Sequence, residues 1–304
     1  MQSLQGLLSI LINIILPIVL VAGAGFILAR TLGVDARPLS RTMLYFFTPA
    51  LIFGSAYKTK LSAEYITIAA FALIISFLMV VLAWVLARIM RYDRLTASGF
   101  SLGIVFVNAG NYGLPLILFA YGQEGLARAA LYFTISAILT QTLAIFIAAR
   151  GRAGVREALL NVLKMPLVYA VTAGLLFNLT GVVVPDPIMK SVDLAADAAV
   201  PVMLVILGIE LAHVTIENDR VAIGLATFAK LVLAPLLAFP LAYVMQLQGV
   251  ARSVCIVEAS MPTAVMASIV AVEFDARPKL VTGIVFASTL LSIISLTILL
   301  GILG

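Results

Sequence analysis

Charge is scarce in this chain of 304 residues: 11% are Asp, Glu, Lys or Arg, where soluble domains carry about 25%. Cysteine and histidine occur once each, as Cys255 and His213. One cysteine excludes an intrachain disulfide and a cysteine-rich metal site. One histidine excludes zinc sites that need two or more. The patterns HExxH and GxxxxGK[ST] are absent, which removes zinc-peptidase and phosphate-loop chemistry. No Lys/Arg run exceeds two neighbours, so the net charge of +5 does not read as a nucleic-acid surface. A cleaved leader would carry positive charge before its apolar core. Here the first basic residue is Arg30, after a full-length apolar segment, so that segment is expected to be a retained span.

What is abundant is apolar: 63% of the residues. A bilayer-spanning helix uses about 20 apolar residues, so this content covers nine or ten spans and leaves little for a soluble domain. The expected class is an all-α polytopic membrane protein in the lipid bilayer. Apolar runs broken by charge predict ten spans at 7–32, 38–56, 64–90, 95–121, 124–149, 166–184, 187–212, 221–246, 250–274 and 280–303.

The loops predict the orientation. Those after odd-numbered spans hold 13 basic residues, among them Arg37, Arg41, Arg88, Arg91, Arg94, Arg150, Arg152, Arg156 and Lys164. The opposite side holds five: Lys58, Lys60, Arg128, Lys190 and Arg252. The positive-inside rule puts the 13 in the cytoplasm and both termini outside, as in an inner (plasma) membrane.

A second pattern suggests duplication. Pro17 with Pro166, Pro49 with Pro201, and Pro115 with Pro262 are offset by 149, 152 and 147 residues. The polar connector 150–165 falls between a first half, 1–149, and a second, 166–304. Five spans per half would make the second enter from the opposite side, an inverted repeat common in secondary transporters.

Two spans carry helix-breaking clusters. The fourth contains Val107-Asn-Ala-Gly-Asn-Tyr-Gly-Leu-Pro115 and the ninth Glu258-Ala-Ser-Met-Pro-Thr263. Proline lacks a donor and glycine is a poor helix former, so both helices are expected to break, with Pro115 and Pro262 opening new half-helices. Paired discontinuous helices point to a transporter's substrate site, and two positive helix ends at one midplane cavity suit an anion. The candidate substrate-binding residues are Asn108, Gly110, Asn111, Tyr112, Gly113 and Pro115 in one break and Ser260, Met261, Pro262 and Thr263 in the other. Lys230, about 5 Å from the midplane of the eighth span at 1.5 Å rise per residue, is expected either to pair with an acid of the ninth or seventh span or to attract the anion. Glu258, one turn before Pro262, suits a sodium or proton site or a partner for Lys230. Asp193 and Asp197 share one face of the seventh span and read as a solvated vestibule. Glu210 and Glu273 read as interfacial, Cys255 and His213 as structural, and Trp84, Tyr45, Phe46 and Phe47 as packing or lipid contacts.

These motifs carry a resemblance. Asn-Ala-Gly-Asn-Tyr-Gly-Leu-Pro (108–115), Ala-Ser-Met-Pro-Thr-Ala (259–264), Val200-Pro-Val-Met-Leu-Val-Ile-Leu-Gly-Ile-Glu-Leu211 and Lys230-Leu-Val-Leu-Ala-Pro235 resemble the auxin efflux carrier family over essentially the whole chain. The resemblance implies two inverted five-helix repeats, a scaffold of spans 1, 2, 6 and 7, and a transport unit of spans 3–5 and 8–10. Broken helices four and nine would cross inside that unit, with the substrate carboxylate at the crossing. The fold is shared with bile acid:sodium symporters, in which the glutamate of a Glu258-x-x-Met261 pattern helps bind sodium. Here Pro262-Thr263 replaces the amide-bearing pair of that site. Plant members carry a long central loop, so a connector of about 15 residues resembles the compact prokaryotic members, associated with malate- or malonate-type dicarboxylates.

The expected function is therefore secondary transport of small organic anions by an elevator-type alternating access, without enzymatic activity or a cofactor, and with sodium or a proton as coupling ion through Glu258, Asn108 and Thr263. The alternative is a sodium/proton antiporter or a sodium-coupled symporter of the bile acid:sodium symporter fold. An antiporter normally needs paired buried carboxylates, and span five has no Asp-Asp or Asn-Asp pair. An intramembrane protease would need Gly-x-Gly-Asp or Gly-x-Ser-Gly, and both are missing. A homodimer through the scaffold fits such a chain, although no small-x-x-x-small face compels it.

Overall fold

The structure is a computed structural model that describes residues 2–59, 62–148, 160, 162–214 and 219–304. Lys60 and the connector residues Arg150, Arg152 and Arg156 lie outside the described residues. Among those described, every regular element is helical, and one isolated antiparallel bridge joins Val107 to Thr263.

The helices follow the apolar runs. They are α1 (Leu4–Leu32), α2 (36–58, continuous through Ala36–Thr42, Met43–Phe47 and Thr48–Lys58), α3 (Ala63–Ile89), α4 (Arg94–Val105) and α5 (Leu114–Ala148). After these come α6 (Pro166–Thr180), α7 (Asp186–Ala212), α8 (Arg220–Val244), α9 (Gly249–Ala259), α10 (Met266–Glu273) and α11 (Pro278–Leu303). Helices α1, α3, α7, α8 and α11 are long and apolar enough to cross a membrane. Large apolar side chains such as Leu20, Phe77, Trp84 and Leu236 stand exposed on their flanks, the surface of a polytopic membrane protein rather than a soluble one.

Side chains at the ends of the runs set several boundaries. Asp35, Asp93 and Asp219 accept the first free N–H groups of α2, α4 and α8, from Arg37, Thr96 and Ala222. The two Thr96 hydrogen bonds, side chain before backbone, hold the Asp93 carboxyl below the usual carboxylate range. Gly122 takes φ +64 inside the run assigned to α5. That left-handed residue separates the stretch after the first break from the remainder of the helix.

Proline acts here by widening helices. Leu11–Ile15, Met43–Phe47, Ala109–Gly113 and Ala229–Leu233 are π turns. Pro17, Pro49, Pro115 and Pro235 each follow one of them by two residues. A proline ring cannot donate and collides with the carbonyl four residues back, and a π turn moves that carbonyl aside. The offset partners take other forms. Pro166 starts α6, Pro201 lies inside α7, and Pro262 is extended.

Helix α7 packs on α1 and α2, and α2 on α6. Gly208 of α7 lies so close to the α1 backbone at Ala22 that a Cβ would overlap it, and Gly25 of α1 meets Val205 in the same way. Asn178 at the end of α6 donates to the carbonyls of Tyr57 (2.6 Å) and Thr59 (2.7 Å). Lys58 and Asp193 form an ion pair at 2.6 Å, so Asp193 ties α7 to α2 at a half-exposed edge. Helices α3, α4, α8, α10 and α11 enclose one core that includes Phe100, Leu102, Ile104, Ala226, Leu280 and Ile284. A larger core joins α3, α5 and α9 to α1, α2 and α7 through Phe71, Ile117, Val257, Ile18, Ile52 and Met203. Arg277 bonds Thr96 at 2.8 Å and reaches Asp219 at 3.4 Å, joining the ends of α4, α8 and α11.

Candidate functional site

Both expected breaks are present, and they meet. After α4 ends at Val105 the chain is non-helical to Asn108, then enters the π turn Ala109–Gly113 that leads into α5. After α9 ends at Ala259 it is non-helical until α10 begins at Met266. The two stretches run antiparallel. The Asn108 N–H donates to the Pro262 carbonyl (2.9 Å), and the Ala264 N–H donates to the Phe106 carbonyl (3.1 Å). Each break therefore satisfies backbone groups that the other leaves open, as irregular backbone away from water requires.

This pairing revises two expectations. Pro262 does not open a half-helix, since α10 begins four residues later at Met266. It sits in the extended stretch, where its missing N–H costs nothing and its carbonyl serves as acceptor. Pro115 is the second residue of α5, and helical winding has already begun at Ala109 as a π turn.

Much of the second break is committed to structure. Thr263 donates its hydroxyl to the Gly103 carbonyl (2.6 Å) and its N–H to the Ser288 hydroxyl (3.1 Å). Ser260 donates to the Ile256 carbonyl (2.7 Å). Met261 is fully buried. Tyr112 is buried and accepts from the Ser292 hydroxyl at 3.4 Å. Gly113 faces the Glu258 carboxylate, and a Cβ at 113 would overlap it.

A cavity of about 280 Å³ lies beside the crossing. Helices α2 and α7 form one wall; the first break, α5 and the chain from Ala264 into α10 form the other. Asn108, Gly110 and Asn111 line it, while Tyr112, Gly113, Pro115, Ser260, Met261, Pro262, Thr263, Lys230 and Glu258 do not. Asn108 is 5% exposed, and its side-chain Nδ2 has no hydrogen-bond partner. Arg41 also lines the cavity, from an exposed position on α2.

Glu210, read from the sequence as interfacial, lines this cavity from α7 and joins the candidate site. The Asn111 side chain lies near its carboxylate, and its Oε2 is buried without a partner. The available signal was an acid inside the apolar run 198–212, two residues after a glycine that presses α7 onto α1.

The expected pairing of Lys230 is also absent. Lys230 is 1% exposed in the π turn Ala229–Leu233, which packs against α11, and among the described residues it forms no ion pair. Glu258 faces the start of α5 instead. Both its carboxylate oxygens are buried and unpartnered. Among the described residues no three His, Cys, Asp or Glu side chains come together as a metal site.

Comparison with known proteins places this geometry. The profile of the family described as membrane transport protein matches residues 10–300. The chain belongs to the auxin efflux carrier family. An uncharacterised transporter of Methanothermobacter thermautotrophicus is 30% identical over 303 residues, covering 97% of each chain. An uncharacterised transporter of Methanocaldococcus jannaschii is 25% identical over 267 residues, 85% of this chain and 87% of that protein. A Rhizobium meliloti protein that carries the provisional name of a malonate transporter is 24% identical over 303 residues, 94% of this chain and 93% of its own.

Proposed function

We propose that this protein is a secondary transporter of small organic anions, with carboxylates as the substrate class, working by alternating access. The observation that carries the reading is the crossing of two broken helices beside a cavity into which a buried, unpartnered asparagine amide is turned. An anion in the membrane needs donors fixed before it arrives, because desolvation otherwise excludes it. Asn108, Asn111 and the N–H groups at the start of the helix after the break supply them.

The packing supports an elevator. The cavity lies in the seam between the group α1, α2, α6 and α7 and the group α3–α5 with α8–α11. Movement of the second group would carry the crossing, and the anion with it, past the first. Counting α4 with the start of α5, and α9 with α10, as one crossing each brings the total to ten in two inverted halves. The basic loops put the cavity mouth, marked by Ser40, Arg41 and Met165, on the cytoplasmic side. Arg41 would there raise the local concentration of anions. Coupling, to a proton or to sodium, is assigned to Glu258, a buried carboxylate with both oxygens free beside unwound backbone. A cation antiporter has less in its favour, since Glu258 is the one acid of the second break.

Counterflow in proteoliposomes tests the reading. Vesicles loaded with unlabelled malate should accumulate labelled malate from outside, and protein-free vesicles should not. Folded, reconstituted protein that accumulates no mono- or dicarboxylate would overturn it.

A further inference from the structure

The polarity of the cavity walls narrows the ligand further. On the wall formed by the first break, Asn108 offers a buried Nδ2 donor with no partner. From α7 the lining includes Glu210, whose carboxyl lies near Asn111 and whose Oε2 is buried with no partner. The remainder of the lining is largely apolar, from Met43, Leu44, Phe133, Met203 and Ile206. Arg41 is the other charged side chain of the lining, and it forms no ion pair with Glu210 among the described residues. A ligand that is only an acceptor satisfies Asn108 and leaves the Glu210 oxygen unpaired. Buried polar groups left unpaired are costly, so the cavity discriminates by what faces each wall.

We propose that Glu210 is a specificity-determining residue that selects carboxylates bearing a second group with an O–H donor. The carboxylate end of such a ligand takes the amide of Asn108, and its hydroxyl or un-ionised acid group donates to Glu210 Oε2. The ligand then spans the seam between the two helix groups, with one end on each. Fully ionised dicarboxylates without a hydroxyl bind less well, because they offer no donor to Glu210 Oε2. The assignment rests on the carboxylate transport proposed above and goes beyond it by naming the feature recognised. Sites built to hydrogen-bond a hydroxyl reject the analogue lacking it far more strongly than apolar pockets reject an added methylene.

Two matched pairs of probes test it: lactate against propionate, and malate against succinate. Each pair differs by one hydroxyl at equal charge. Inhibition of labelled-substrate uptake at pH 8 should favour the hydroxylated member of each pair by at least about tenfold, a modest discrimination for a buried acceptor. In Glu210→Gln, whose amide can donate or accept, that preference should fall to about twofold or less, and succinate should gain more than malate, because the amide can donate to a carboxylate that offers no O–H. Equal inhibition by both members of each pair in the wild type would overturn the inference while leaving carboxylate transport standing. Absence of inhibition by all four, with no carboxylate taken up, would overturn both. The wild-type comparison decides the matter even where Glu210→Gln folds poorly. Where it folds, an unchanged preference in that variant also overturns the role of Glu210.

Discussion

Asn108→Leu is expected to weaken substrate binding by about 10- to 100-fold, the loss of a hydrogen bond to a charged group, and to leave folding intact. The side chain is buried, and its Nδ2 bonds nothing in the protein. Leucine of similar size therefore removes a desolvated donor without stranding an acceptor, a change worth about 0–1 kcal/mol in favour of the fold. The contact that holds the crossing, from the backbone N–H of Asn108 to Pro262, is untouched. Asn111→Leu should also abolish transport, but it removes the neighbour of the Glu210 carboxylate as well, so its effect on stability is larger. Detergent melting curves and uptake kinetics of the two variants separate these cases. Asn108→Leu that transports like wild type would make the amide a structural group and move the binding site elsewhere.

Glu258→Gln should abolish the dependence of uptake on a sodium or proton gradient without lowering the melting temperature. A buried carboxylate with no partner is costly, by several kcal/mol where it is ionised, and a neutral amide of the same shape relieves that cost. Were Glu258 neutralising Lys230, the same change would strand an ammonium and destabilise the protein by about 3–5 kcal/mol. The geometry opposes this, since Glu258 faces Gly113 of the first break and Lys230 lies in the π turn packed on α11. Lys230→Met and Glu258→Gln are therefore expected to act independently, adding to within about 0.5 kcal/mol. Melting of the four proteins of this cycle checks that independence, and a Lys230→Met rescue of an unstable Glu258→Gln would refute it.

The helices themselves were legible in the sequence. Apolar runs of 20 or more residues have one stable form away from water, because a helix satisfies every backbone group within its own segment. The breaks were legible for the complementary reason: Asn-Ala-Gly-Asn-Tyr-Gly-Leu-Pro cannot remain a regular helix in any surroundings. The form of each break was not. Pro115 follows a π turn and Pro262 lies extended, although both were read as the first residue of a half-helix. The difference depends on which partner accepts the freed groups, and that partner is about 150 residues away in the chain.

The helical class and the two sites of rupture thus follow from local composition, where each residue's preference is set by its own backbone chemistry, and the family follows from the motifs and the profile match. The partners of the charges do not. Lys230 and Glu258 share a depth in the membrane that makes pairing the cheapest guess, yet they face different helices. Glu210 looked like a helix-end charge at an interface, and the packing of Gly208 against Ala22 turned α7 so that its carboxylate lines the cavity beside Asn111. Sequence spacing sets where a residue stands along a helix. Only the tertiary packing sets the rotation of that helix about its axis, and a buried charge meets whatever that rotation brings before it.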